Sequence, residues 1–416
     1  MKSDFINRPS KKQLIIPIIV FLFLIGFGGA YVYKMKKLPT STPNSASDST
    51  ATTDTCNVAI GNGNEVIAGP SGPQESDYDQ VFRSLTVDPS NPDIVILGTE
   101  RNGFLKSTDG GNTWSRLRQG LRHENIGYPE IWNLAIAPTS ASTLLAATLD
   151  SPGPITEMGG VYKSTDGGET WSRSNCGLPS SRITSIAFAS DSSNNAVAGV
   201  EGGASSKSGN KGQYYDGGIY YSIDGGSNWS KANMPGKYTK NGYWNLIQRN
   251  NTFFTFGFNY YDSSENIGFI KSDDNGKNWS ATGDELKNQL ITGFDVSSDG
   301  QTIYANARDS FKINKSINGG TSWTTISNGA NGPVAVSPSN ANLVVYAGSE
   351  TLFRTTDGMT DSTPVLESSK QFDDIAFAPS NNSIVYAITT GYLLYKSSDS
   401  GATWTQIKNL RSDVLN

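Results

Sequence analysis

The chain is poor in the residues from which many active sites are assembled. Its 416 residues include one histidine and two cysteines, Cys56 and Cys176. This supply excludes a zinc cluster, a cysteine–histidine pair at a known spacing and a serine–histidine–aspartate signature. We therefore expect no metal site and no cofactor, and we assign no catalytic residue.

Positive charge is scarce beyond the N-terminal segment. After residue 37 the chain carries 26 basic and 37 acidic side chains, a net charge of −11. That balance speaks against nucleic acid as a partner. The two cysteines leave two alternatives open, a disulfide between Cys56 and Cys176 in an oxidising compartment or two unrelated thiols.

Only one long apolar run is present. Residues 14–33, LIIPIIVFLFLIGFGGAYVY, hold no charge over twenty positions, enough to cross a hydrocarbon core of about 30 Å. We predict a cytoplasmic tail at 1–12 and a transmembrane signal-anchor at 13–33. The alternative is a signal peptide cleaved near Gly28-Gly29-Ala30. Either reading sends the rest of the chain out of the cytoplasm, to the cell exterior or the periplasm.

Helical periodicity is missing from the remainder of the chain. Residues 34–56 are rich in Ser, Thr and Pro and are predicted to form a flexible stalk. Residues 57–416 alternate apolar and polar positions in short runs separated by turn residues. This segment is therefore predicted to be an all-β body.

One turn sequence recurs through that body. Residues 106–117 read KSTDGGNTWSRL and residues 163–174 read KSTDGGETWSRS. The pattern Ser/Thr-x-Asp-x-Gly-x-x-Trp occurs seven times, with two drifted copies, at intervals of 57, 58, 50, 44, 39 and 42 residues. These intervals approach the length of a four-stranded propeller blade. The central residues are Asp109, Asp166, Asp224, Asp274, Asn318, Asp357 and Asp399.

The residues of this turn have a structural reason to be there. Glycine permits the positive φ of a tight hairpin, and Asp109 with Ser107 can accept hydrogen bonds from turn amides. Asn318 can accept the same bonds through its amide oxygen but cannot serve as an acid or base. We therefore interpret the repeated acid as structural rather than catalytic.

The seven turns resemble Asp-boxes, the BNR repeats of sialidases, sortilin-type receptors, xyloglucanase-type glycoside hydrolases and photosystem II assembly factors. The resemblance covers residues of about 80 to 410 and implies a seven-bladed β-propeller with each box between the third and fourth strands of a blade. These families act differently on one scaffold, so the resemblance implies no single activity. A sialidase is disfavoured because that family has six blades and the segment Phe82-Arg83-Ser84-Leu85 lacks the expected proline.

Loop length then indicates a face. If the strands of a blade are A to D, the boxes are C–D loops, and B–C and D–A loops emerge at the other end. The long connections are all of the latter kind and come from blades 1–4, which predicts one elaborated sector. They span residues 116–133, 150–160, 201–218, 231–246 and 258–268.

We predict a binding site on that sector. Aromatic rings with polar neighbours suit a protein or a glycan partner. The candidate ligand-binding residues are Trp132, Trp244, Tyr243, Tyr128, Arg118, Arg122, Tyr215 and Tyr261. Two alternatives remain: the two tryptophans plug the inner ends of their blades, or the sector is a glycoside hydrolase or lyase site that uses acids of the same loops. Those acids are Glu124, Glu130, Asp150, Glu157, Asp216, Asp262 and Glu265.

Overall fold

The computed structural model describes seven four-stranded antiparallel sheets that follow one another along the chain. All of them lie within one compact unit, Ala46–Asn416. The seven predicted blades are therefore confirmed. The described residues are 66–67, 82–123, 127–149, 158–204, 214–215, 217–235, 242–258, 267–287, 289–307, 310–328 and 332–415.

Each blade takes its four strands, A to D, from one continuous stretch of sequence. Blade 1 has strands Phe82–Val87, Val95–Thr99, Phe104–Ser107 and Ser115–Leu117. Blade 2 has Glu130–Ala137, Ser140–Leu149, Gly160–Ser164 and Ser172–Arg173. Blade 3 has Ile183–Ala189, Ser192–Val200, Gly218–Ser222 and Ser230–Lys231. Blade 4 has Gly242–Arg249, Thr252–Phe258, Gly268–Ser272 and Ser280–Ala281.

The last three blades follow the same order with shorter connections. Blade 5 has strands Ile291–Val296, Ile303–Ala307, Lys312–Ser316 and Thr324–Asn328. Blade 6 has Val334–Ser337, Asn340–Ala347, Thr351–Thr355 and Thr363–Glu367. Blade 7 has Phe372–Ala378, Asn381–Thr389, Leu393–Ser397 and Thr405–Asn409.

A few short elements decorate the blades. Val66–Ile67 pairs with Arg122–His123, and Gly203–Ala204 pairs with Tyr214–Tyr215. A 3-10 turn covers Asp284–Leu286, and a π-helical turn covers Arg411–Leu415.

The blades close into a ring. The A strand of each blade contacts the A strand of the next, and the A strand of blade 7 contacts that of blade 1, so the A strands are innermost. The hydrophobic clusters lie between neighbouring blades: one cluster joins Leu97 of blade 1 to Ile388 of blade 7, and another joins Leu145 of blade 2 to Phe188 of blade 3. The core is thus distributed around the ring, with each blade completing the burial of its neighbour.

The boxes fasten one blade to another. The indole of Trp171, in the box of blade 2, stacks on Phe104 of blade 1 at 4.3 Å between ring centroids. The ammonium of Lys106, in the C strand of blade 1, donates to the carbonyl of Gly167 in the same box at 2.7 Å. Lys315 of blade 5 makes the same bond to Gly358 of blade 6 at 3.0 Å. A Lys-Ser pair precedes most of the boxes in the sequence. The sequence alone did not show that this lysine bonds to the box of the next blade.

The box turns lie at the same end as the A–B hairpins. The amide of Gly110, in the first box, donates to the carbonyl of Asp93 in the A–B hairpin of its own blade at 2.9 Å. Gly167 makes the matching bond to Ser142 in blade 2 at 2.8 Å. In antiparallel blades the B–C and D–A connections therefore emerge at the opposite end, where the candidate site was predicted.

Candidate functional site

Two tryptophans from blades that are not neighbours meet at the site. The ring centroids of Trp132, in blade 2, and Trp244, in blade 4, are 4.9 Å apart with an interplanar angle of 52°. Blade 3 stands between their strands, and its A strand contacts both. The rings can therefore meet only on the side where the blades converge, toward the axis of the ring.

Irregular strand pairing brings this contact about. The A–B register of blade 2 shifts between Ile131 and Asn133, so Trp132 has no cross-strand partner in the ladder. In blade 4 the register shifts between Trp244 and Ile247, beside Asn245 at φ 51°. A bulge of this kind bends the strand and re-aims a side chain. Similar register shifts occur in blades 1, 3, 5 and 7, so the bulges alone do not mark the contact, and it was not predicted.

The tryptophan pair is buried rather than exposed as a platform. Trp132 is 9% exposed and Trp244 is 4% exposed. The Trp132 indole nitrogen donates to the Glu130 carboxylate at 3.0 Å. Tyr243 is fully buried, and its carbonyl accepts hydrogen bonds from the hydroxyl of Thr184 at 2.6 Å. These contacts hold the inner ends of blades 2, 3 and 4 together.

Arg118 and Tyr128 form a second buried pair on the connection between blades 1 and 2. The Arg118 side chain is largely buried, and its Nε donates to the carbonyl of Asn102 at 2.7 Å. Its guanidinium lies over the ring of Tyr128, 5.2 Å from the centroid, a cation–π geometry. Burial raises the pKa of the Tyr128 hydroxyl. The pair therefore stiffens the connection from beneath its surface.

The remaining candidates are Arg122, Tyr215 and Tyr261. Arg122 is partly exposed and belongs to the short strand pair with Val66–Ile67. Tyr215 lies in the two-residue strand that pairs with Gly203–Ala204. Tyr261 lies outside the described residues. The structure thus joins Trp132 to Trp244 and Arg118 to Tyr128, while Arg122 and Tyr215 each occupy a separate added strand pair.

The described part of the site offers one of the seven loop acids named from the sequence. Glu130 is 6% exposed and accepts the indole hydrogen of Trp132. The other six acids lie outside the described residues. Within the described ranges no three His, Cys, Asp or Glu side chains are grouped so as to hold a metal ion.

The box carboxylates are committed to their turns. Asp109 accepts hydrogen bonds from the Thr113 hydroxyl at 2.6 Å, the Thr113 amide at 2.9 Å and the Ser107 hydroxyl at 2.8 Å. These bonds lower its pKa to about 2. Asn318 accepts the equivalent bonds from Ser316 and Ser322 at 2.9 and 3.0 Å. An acid held ionised by its own turn is a poor general acid or base at neutral pH.

Two further predictions from the sequence concern the disulfide of Cys176 and the membrane span at 13–33. Cys176 is disulfide-bonded, and its predicted partner Cys56 lies outside the described residues, so that pairing stays a prediction. The segment 13–33 also lies outside the described residues. In the part of the chain that the structure describes, no helix has the length and hydropathy needed to cross a membrane.

Sequence and fold together define the class of protein. The family model for the BNR/Asp-box repeat matches residues 162–173, which include the box of blade 2. Seven such boxes stand in seven four-stranded blades. The chain is a seven-bladed β-propeller that carries BNR/Asp-box repeats.

Solved structures with the same fold come from two kinds of protein. An ancestral GH74 enzyme is similar at 15% identity and TM-score 0.60, over 82% of this chain and 48% of that one, so this chain spans about half its length. YCF48 bound to D1 peptide is similar at 14% identity and TM-score 0.53, over 78% of this chain and 92% of that one. YCF48 from Cyanidioschyzon merolae has 14% identity and TM-score 0.51, over 78% and 95% of the two chains. A search of curated proteins gave no match to this sequence.

Proposed function

We propose that the protein is a membrane-anchored binding or assembly module whose propeller lies outside the cytoplasm. Its partner is a protein or a glycan, and it docks on the loop-rich face of blades 1–4. The anchor is the apolar segment 13–33, and the stalk 34–56 holds the propeller away from the membrane. The proposal needs no catalysis by this chain.

The meeting of Trp132 and Trp244 is the observation that carries the proposal. The two rings reach each other across blade 3, which places aromatic side chains of two blades at one point near the axis of the ring. In this proposal the pair is the floor of the site, because both rings are buried. The partner is contacted by the connections above it, with Arg122, Tyr215 and Tyr261 as the candidate contacts.

Elaboration confined to one end supports the same face. Blades 1 to 3 carry the two added strand pairs, Val66–Ile67 with Arg122–His123 and Gly203–Ala204 with Tyr214–Tyr215. Long connections on a rigid scaffold are where recognition residues concentrate. One similar propeller, YCF48, was solved with a bound peptide, which agrees with a protein partner for this fold.

The alternative is a carbohydrate-active enzyme, a glycoside hydrolase or lyase. It is favoured by the similar GH74 enzyme and by the buried carboxylate of Glu130 beside Trp132. Glycoside hydrolysis needs a second carboxylate about 5 to 10 Å away. Its source would be one of the six loop acids outside the described residues.

Co-purification with the full chain in its membrane tests the proposal. We expect a partner to be recovered with the wild type and lost when Arg122→Gln, Tyr215→Ser and Tyr261→Ser are combined. Glu169→Gln and Lys277→Gln are matched controls, because both residues are exposed on boxes at the opposite end. If the controls lose the partner and the triple variant keeps it, the partner binds at the end of the boxes and not on the face proposed here.

A glycan array separates the two functions. Binding without change of the glycan supports the module, whereas release of a shortened or unsaturated product supports the enzyme. Protease protection of the C-terminus in intact cells would contradict the outward orientation.

A further inference from the structure

A cavity of about 400 Å³ lies on blade 7, beside blade 1 of the elaborated sector, whose Arg116 donates to the carbonyl of Val414. Its lining comes from the connection before blade 7, the B–C loop of that blade and the chain after its last strand. These segments emerge at the end of the ring opposite the boxes. The lining residues are Lys370, Thr390, Gly391, Tyr392, Asn409, Arg411 and Ser412.

The cavity is cationic in a protein whose body is acidic. Lys370 and Arg411 line it and are exposed, and no carboxylate is among the lining residues. Among the residues the structure describes, neither cation takes part in a salt bridge. The nearby carboxylate of Asp413 accepts the amide of Asn409 and the hydroxyl of Ser412, so its oxygens are used by the turn. Asp413 keeps its negative charge, so an anionic group entering the cavity meets two cations opposed by one neighbouring carboxylate.

The local backbone is shaped to present these charges. A Cβ on Gly391 would lie 2.2 Å from Cγ of Lys370, so the glycine leaves the room through which the lysine stem crosses. Tyr392 adopts φ 68°, an uncommon conformation for a bulky residue. The Arg411 guanidinium lies over the Tyr392 ring, 5.6 Å from its centroid, and is steadied there.

The uncharged lining residues favour an anion that also carries hydroxyl groups. The hydroxyls of Thr390 and Ser412 donate to Gln371 and Asp413, so their oxygens face a ligand as acceptors. Asn409 offers its side-chain nitrogen as a donor, because its amide oxygen accepts the backbone amides of Arg411 and Ser412. The one aromatic ring of the cavity, Tyr392, is largely buried and covered by Arg411. A ligand with one carboxylate and several hydroxyls matches this set of groups.

We propose that the cavity on blade 7 binds an acidic sugar unit, a uronic acid residue of a polysaccharide. Its carboxylate pairs with Lys370 and Arg411, and its hydroxyls bond to Thr390, Asn409 and Ser412. This site is distinct from the face of blades 1–4 and does not depend on the partner proposed there. It would attach the propeller to an anionic glycan while the other sector remains free.

Calorimetric titration of the full-length protein tests the assignment. The probes are a glucuronic acid oligomer and a glucose oligomer of the same length. We expect the acidic oligomer to bind at least tenfold more tightly than the neutral one, and to weaken as salt is raised. Lys370→Gln and Arg411→Gln should each weaken it about tenfold or more, as expected for a charge-assisted hydrogen bond.

Two further variants separate geometry from charge. Gly391→Ala keeps both cations but displaces the lysine stem, so it should also weaken binding about tenfold. Lys408→Gln removes a neighbouring charge that does not line the cavity, and it should change the affinity less than twofold. Thermal melting of each variant checks that the fold is retained.

The competing occupants are outcomes of the same titration. Equal affinity for the glucose oligomer would overturn the role of the two cations. Equal affinity for inorganic phosphate would reduce the cavity to a simple anion site, and equal affinity for a glutamate peptide would overturn the sugar assignment. Unchanged uronate binding in Lys370→Gln and Arg411→Gln would move the ligand elsewhere.

Discussion

Asp374 and Asn133 make equivalent hydrogen bonds between neighbouring blades, but only Asp374 can carry a charge. The Asp374 carboxylate, on the A strand of blade 7, accepts the amide of Leu85 in blade 1 at 2.9 Å. The Asn133 amide oxygen, in blade 2, accepts the amide of Ile186 in blade 3 at 2.9 Å. Each bond links neighbouring A strands. Desolvation raises the pKa of Asp374 to about 7, whereas asparagine does not titrate.

Asp374→Asn should therefore flatten the pH dependence of stability. Its folded pKa lies above the ordinary value of 3.8, so the stability it contributes is complete below about pH 4 and is lost as pH rises through about 7. At most about 1.4 kcal/mol per pH unit is expected to disappear from the slope. Urea unfolding between pH 4 and 8 measures the difference from wild type.

Asn133→Asp is the matched control for that experiment. It places a carboxyl where the wild type has a neutral amide with the same bond. A new loss of stability with rising pH is expected if burial beside the A strands is what raises the pKa. An unchanged slope in Asp374→Asn would contradict this account.

The pKa of the box residue Asp109 is shifted in the opposite direction to that of Asp374. The hydrogen bonds of Asp109 from Thr113 and Ser107 hold its pKa at about 2. Its contribution is present above the ordinary value of 3.8 and is lost as pH falls through about 2. Asn318 keeps the bonds to one acceptor oxygen, and its side-chain nitrogen donates to the Ser322 hydroxyl where the second oxygen of Asp109 accepts from Thr113. We therefore expect the turn to need the acceptor oxygen more than the charge.

Substitutions at Asp109 test that statement. We expect Asp109→Asn to keep a melting temperature near wild type at pH 7, and Asp109→Ala to lower it clearly because the turn amides lose their acceptor. Asn318→Asp should be neutral by the same reasoning. If asparagine and alanine at position 109 melt alike, the charge itself is what the turn requires.

Among elements, the segment that follows the D strand in blades 1, 2 and 3 bonds to the box of the next blade. The carbonyl of Cys176 accepts the amide of Trp229, in the box of blade 3, at 2.8 Å. The next residue, Gly177, adopts φ 88°, and a Cβ there would lie 2.0 Å from the carbonyl oxygen of Trp229. Backbone meets backbone at this point, so no side chain can move aside.

Gly177→Ala should therefore destabilise the propeller by about 3 kcal/mol or more, through positive φ and overpacking together. Gly167→Ala is the control, since Gly167 has φ 76° but its nearest contact is the flexible Lys106 ammonium at 3.3 Å. That variant should lose about 1 kcal/mol. Chemical denaturation measures the free energy of unfolding of both variants. Equal losses would show that the close approach at Gly177 adds nothing to the cost of positive φ.

At the scale of the whole molecule, the sequence was enough for the number and order of the blades. Seven boxes at blade-length intervals predict seven sheets, because each box needs the same C–D hairpin around it. The contact between Trp132 and Trp244 could not be predicted, because the two residues lie on blades that are not neighbours and meet only when the ring forms. The cavity of Lys370 and Arg411 was missed because its residues are brought together only when blade 7 folds.

Ring closure is the remaining property of the whole molecule. Every blade takes its four strands from consecutive sequence, so six of the seven interfaces between blades are crossed by the chain. The interface of blade 7 with blade 1 rests on contacts such as Tyr386 to the carbonyl of Pro92 at 3.1 Å and Lys396 to Asp93 at 3.5 Å. Local opening is expected where chain connectivity does not restrain the blades.

Hydrogen exchange at two equivalent amides measures that opening. The Leu85 amide, bonded to Asp374, reports on the closing interface, and the Ile186 amide, bonded to Asn133, reports on an interface crossed by the chain. Both residues are buried, at 6% and 2% exposure. We expect Leu85 to exchange faster than Ile186 under native conditions, and the difference to persist in Asp374→Asn, where both acceptors are amides. Equal protection would mean that the contacts of Tyr386 and Lys396 close the ring as firmly as the connected chain does elsewhere.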